Sequence, residues 1–107
     1  MDTINNIHWH DSEIESVFEV PRRDELIYNV LYPENWERNE FVAKAIVFEG
    51  YHSQIVEEMP FEGNPTILGA SVHRKENDFT TFKLETNAGS RFVTAKGIRL
   101  VPQHITN

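Results

Sequence analysis

The sequence predicts an all-β domain, an antiparallel β-sandwich of about seven strands built from hairpins, and three observations carry that prediction. Val, Ile, Thr and the aromatic residues total 37 (9, 9, 7 and 12), against 12 for Ala, Leu and Met together, and β-branched and aromatic side chains fit a pleated, half-buried surface. Breaker-rich stretches at 21–25, 33–39, 50, 60–65, 74–78 and 87–90 recur at intervals suited to short strands. No stretch repeats apolar residues at helical spacing for three turns; PENWERNE, opened by Pro33, offers one helical turn.

Residues 12–20 alternate, with Ile14, Phe18 and Val20 sharing a face with Ser16 while Glu13, Glu15 and Glu19 share the other with Val17; this is a strand with one wet face. Residues 26–32 are apolar on both faces apart from Asn29. Residues 41–48 set Phe41, Ala43, Ala45 and Val47 against Val42, Lys44, Ile46 and Phe48. Both segments are expected as central strands. Residues 51–56 and 66–73 are less regular, with Leu68, Ala70 and Val72 the expected inward set of the second. The last hairpin joins 79–86 to 90–101 through Asn87-Ala88-Gly89, a three-residue loop with glycine where positive φ is needed. That loop pairs Thr86 with Ser90, Leu84 with Phe92, Phe82 with Thr94 and Glu85 with Arg91. With no linker or repeat, residues 1–107 are expected to form one domain with loose termini at 1–7 and 102–107.

Composition narrows the function classes. The chain has 107 residues, no cysteine and a formal charge of −7. A chain this long buries very roughly 65% of its unfolded surface, enough for one core without staples. Thiol nucleophiles, thiolate metal sites and Fe–S ligation are excluded, and a reducing, cytoplasmic setting is expected. The start MDTINNIHWHD has neither a basic nor an apolar region of the secretory kind, so no signal peptide is expected, and no apolar run is long enough to span a membrane. The acidic balance argues against nucleic acid as partner, because that affinity comes from Lys and Arg. Charge is also uneven: residues 1–73 hold 14 acids and 4 bases, whereas residues 74–107 hold 3 acids and 6 bases. An acidic surface of this kind either faces water or steers a basic partner.

Candidate chemistry is sparse. His8 and His10 project from one side of an extended backbone, and with Asp11 they are the start of a metal site or a hydrolytic centre; a third ligand at diagnostic spacing is missing. The competing role for His10, Asp11 and Ser12 is structural, an Asx or Ser turn that sets the entry of the first strand by accepting backbone N–H groups two residues on. No nucleophile elbow or phosphate-cradling glycine loop occurs, and no cofactor is implied. A ligand inside the sandwich would be lined by residues such as Phe48, Tyr51 and Phe82. Trp36, ringed by Glu34, Glu37 and other polar residues between two strong strands, is either a partner anchor or a lid over the sheet end.

The segments HWHDSEIESVFEV, LIYNVLY, FVAKAIVFEGYHSQIVEEM and KGIRLV, with His10-Asp11-Ser12 as the sharpest motif, resemble small bacterial β-proteins that open on His-Asp-Ser, and are somewhat like the polymorphic-toxin immunity family called immunity protein fifty. The resemblance spans about residues 8–101. It implies a cytosolic, non-enzymatic protein that neutralises a toxin, and it carries no functional residue onto these positions. The expected function is therefore a binding protein for a basic, toxin-like partner, with Trp36, Glu34 and Glu37 as the contact residues and self-association through an edge strand as a further property of an open sandwich. The alternatives are a metal-dependent enzyme at His8, His10 and Asp11 and a small-ligand-binding sandwich.

Overall fold

The computed structural model describes residues 4–102 and shows an all-β architecture of two four-stranded antiparallel sheets. The strands are β1 (Glu13–Val20), β2 (Glu25–Asn35), β3 (Glu40–Glu49), β4 (Ser53–Glu58), β5 (Ile67–Glu76), β6 (Phe79–Thr86), β7 (Gly89–Ala95) and β8 (Gly97–Pro102). Their order is β1-β2-β3-β8 in the first sheet and β4-β7-β6-β5 in the second. β2 and β3 are the central strands of the first sheet, as their two apolar faces require. Inward residues Leu26, Tyr28, Val30, Ile46, Phe48 and Ile98 meet Ile67, Phe82, Leu84, Val93 and Ala95 of the second sheet in one continuous core. Ile27, Ala45 and Val47 form a smaller cluster with Phe18, Val20 and Val101 on the opposite face of the first sheet.

Bulges rearrange two of the expected faces. A bulge between Ile14 and Ser16 puts Ile14 and Val17 against the main core while Phe18 and Val20 join the opposite cluster, so Ile14 and Phe18 do not share a face. A second, between Ile67 and Gly69, buries Ile67, turns Ala70 to the core and leaves Leu68 about half exposed, while Val72 stays on the face of Ala70, opposite Phe82, and is about half covered. Alternation read from sequence fails wherever one extra residue shifts the period.

The last hairpin differs in register. Phe82 pairs with Val93, Leu84 with Arg91 and Glu85 with Ser90, one residue away from the expected pairing, which transfers the whole of β7 to its other face. Val93 is thereby fully buried and Phe92 lies outside beside Lys83. The connection is the two residues Asn87 and Ala88, because Gly89 already belongs to β7. Gly89 has φ +152°, and a Cβ there would sit 2.2 Å from the Glu57 carbonyl oxygen on β4; glycine lets β7 come that close. The expected long strand 90–101 is two strands, broken at Lys96, so the chain leaves the second sheet after Ala95 and enters the first at Gly97. Strands that switch sheets in this way make the corners of a sandwich.

The N-terminal segment is also placed differently over 4–7. Ile4–Asn6 form a 3₁₀ turn, Ile7 is buried and Ile4 packs on the core, so the apolar side chains of this segment join the main cluster. Residues 1–3 and 103–107 lie outside the described residues.

Candidate functional site

The His-Asp-Ser motif closes a tight turn. The Ser12 N–H donates to the Trp9 carbonyl at 3.1 Å, and Asp11 sits between them at φ +73°, a conformation that Asp tolerates better than most residues. Ser12 is fully buried, and its hydroxyl donates backwards to the His8 carbonyl at 3.0 Å rather than accepting an N–H ahead of it. Ile67 N–H donates to the Ser12 carbonyl and Asp11 N–H to the Ile67 carbonyl, both at 2.8 Å. The motif thus stitches the start of β1 to the start of β5.

That geometry gives the two histidines different surroundings, with the His8 ring edge-on to Tyr32 at 6.5 Å. Residues 8–10 are not a strand, and Trp9 points into the core. The His8 N–H donates to the Tyr32 hydroxyl at 2.8 Å, while exposed His10 contacts the Asp11 carboxylate at 3.2 Å. Among the described residues no three His, Asp or Glu side chains gather as a metal site would need. Of the residues expected to line a ligand in the interior, Phe48 packs against Tyr28 and Phe82 at ring separations of 5.5 and 5.8 Å. Tyr51 lies at the β3–β4 connection, where burial and a 2.8 Å hydrogen bond to the Glu19 carboxylate push its hydroxyl up to about 12.

The polar cluster inside the sandwich serves cohesion. Arg91 grips Glu58 through two N–H groups at 2.6 and 2.9 Å, and its guanidinium lies 5.6 Å from the ring of Tyr28 in the opposite sheet. The Tyr28 hydroxyl also reaches Gln54 on β4. Hydrogen bonding from Arg91 holds Glu58 below the usual carboxylate range, and burial pushes the Tyr28 hydroxyl up.

The feature best built to meet a partner is the end of the β2–β3 hairpin. Among the described residues, β1 accompanies β2 only as far as Leu31, and β8 accompanies β3 only from Lys44. The pairs Tyr32–Val42 and Pro33–Phe41 therefore stand as a two-stranded ribbon that overhangs the sheet. Its tip is a 3₁₀ turn, Trp36–Arg38, capped by Asn35, whose side-chain oxygen accepts the Arg38 N–H at 3.3 Å. Asn39 at φ +56° turns the chain back into β3. Every residue from 37 to 43 is exposed, including Phe41 at 40% and Val42 at 37%. Glu34, Glu37 and Glu40 flank that apolar pair, and Glu34 is held by Lys44 at 3.0 Å. The side chain of Trp36, expected as anchor or lid, lies outside what the structure describes. Sequence reasoning singled out Glu34 and Glu37 but placed Phe41, Val42 and Ala43 in a strand covered on both faces; the missing signal is the shorter reach of the neighbouring strands, which no local pattern carries. No protein-family model matches the chain, and no curated protein matches it significantly.

Proposed function

We propose that the chain is a non-enzymatic binding protein of the immunity type, which holds a basic, toxin-like protein through the overhanging β2–β3 hairpin. The observation that carries this reading is exposed Phe41 and Val42, which project from opposite faces of β3 and so give each face of the ribbon an apolar side chain, set among Glu34, Glu37 and Glu40 with no neighbouring strand alongside among the described residues. Apolar side chains at the centre of a contact supply most of its affinity, and a charged rim steers and selects the partner. The −7 net charge adds a long-range attraction for a basic protein. Capture from an extract of the source organism at low ionic strength tests the proposal. It predicts recovery of a basic protein that is released by about 0.5 M salt, where charges are screened beyond a few ångströms. Recovery of nothing at low ionic strength counts against it.

A further inference from the structure

The outer face of the second sheet, remote from the hairpin tip, carries a cleft of about 320 Å³ to which all four strands contribute. β3 runs ten residues from the tip to the β3–β4 connection, about 33 Å of extended chain, and the cleft begins beyond that connection at Ser53. The two surfaces are thus independent, and a ligand in the cleft needs no partner at the tip.

A bulge shapes the cationic side of the cleft. Between Val72 and Arg74 the register of β5 against β6 slips by one residue. Neighbouring strand residues normally point to opposite faces, yet here His73 and Arg74 both line the cleft. Bulges re-aim side chains in this manner beside binding sites. The Arg74 side chain takes part in no ion pair or hydrogen bond among the described residues, whereas Arg23, Arg91 and Arg99 are each committed to carboxylates.

The rest of the cleft mixes hydroxyl groups with the apolar side chains of Ile55 and Phe92. Its floor is the cross-strand pair Thr81–Thr94, hydroxyl to hydroxyl at 2.8 Å, with Ser53 beside it. One wall is the ring of Phe92, held edge-on by His73 at 5.1 Å. Glu57, on the far edge strand β4, closes the end opposite Arg74.

We infer that this cleft binds an anionic monosaccharide, a sugar phosphate or a sugar acid, with its oxyanion on Arg74 and His73 and its ring over Phe92. The guanidinium fork matches two oxygens of either anion, and the imidazole N–H adds a donor. Sugar hydroxyls exchange hydrogen bonds with Ser53, Thr81 and Thr94, and one at the far end donates to Glu57, which repels a reversed orientation. The volume lies at the lower end of small-ligand sites, and the −7 charge of the chain repels a polyanion such as a nucleic acid strand.

The test is a ¹H–¹⁵N chemical-shift titration of the full chain with glucose 6-phosphate, glucuronate and glucose. The inference predicts saturable shifts at Ser53, Thr81 and Thr94 with at least one anionic sugar, and binding of glucose weaker by about tenfold or more. Response to the phosphate alone or the carboxylate alone identifies the anion. Arg74→Gln weakens the anionic sugar by about tenfold or more, while Lys75→Gln, which removes the same charge one residue away, leaves it unchanged. Absence of saturation by either anionic sugar at about 10 mM, shifts that map elsewhere, or full affinity in Arg74→Gln overturns the inference.

Discussion

At residue scale the structure rests on a few residues that have no substitute. Gly89 is one, because a methyl group would meet β4 backbone at 2.2 and 2.8 Å, and backbone, unlike the end of a long side chain, cannot swing away. Gly89→Ala is expected to lower stability by about 2 kcal/mol or more, read from urea denaturation; an unchanged midpoint would show that β7 has room to move. Glu58 is another. It and Arg91 are each only 12% exposed, so Glu58→Gln leaves the guanidinium half-paired inside the sandwich at a cost on the order of 3 kcal/mol. The sign of its pH dependence follows from its lowered folded value. The contribution is fully present above the unfolded carboxylate value of about 4.3 and is lost as pH falls through the lower folded value. Wild type should lose more thermal stability than Glu58→Gln as pH is lowered through that window, and parallel curves would show that Glu58 does not carry this dependence. Arg91 also shows why residue roles were hard to read from sequence. A charged side chain in a strand suggests the wet face, and only the carboxylate of Glu58, 33 positions away, makes an inward arginine stable.

At the scale of elements, strand positions were legible and strand faces were not. The limits of β1 and β6 follow from the breakers around them, since Pro21, Asn77 and Asn87 end extended runs for local reasons. Register is different, because it depends on what the far side of the strand meets. The β6–β7 hairpin looked settled by a glycine turn and the Glu85–Arg91 charge match, yet burial of Val93 and Ala95 with the Arg91–Glu58 pair outweighs one exposed cross-strand attraction, which is worth only about 0.2–1 kcal/mol. The His-Asp-Ser turn was visible as a turn, but its partner across the sandwich, Ile67, was not. Its left-handed residue gives a clean test. Asp11→Gly should leave stability within about 0.5 kcal/mol of wild type, whereas Asp11→Val should cost about 1–2 kcal/mol from the Cβ clash at positive φ. Equal melting temperatures for the two variants would contradict the turn geometry.

For the whole molecule, the charge asymmetry between the two parts of the sequence acquires a structural meaning. Arg91 and Arg99, from the basic C-terminal third, hold Glu58, Glu49 and Glu25 of the acidic part, so some of the imbalance is neutralised within the fold. Acids that remain exposed include Glu34, Glu37 and Glu40, gathered at one end of the sandwich, whereas Arg74 lies on the outer face of the other sheet. The sequence shows the asymmetry; only the topology shows that bases of the C-terminal third pair with acids of the first part across the fold. The most direct test of the proposed role is capture of a partner by the wild-type chain beside a variant carrying Glu34→Lys, Glu37→Lys and Phe41→Ser. These positions are exposed and the Glu34–Lys44 pair is a surface one, so the melting temperature should shift by no more than about 1 kcal/mol of stability implies. The folded variant is expected to lose the partner that wild type retains at low salt; a folded variant that retains it as well as wild type would contradict the hairpin as the binding surface.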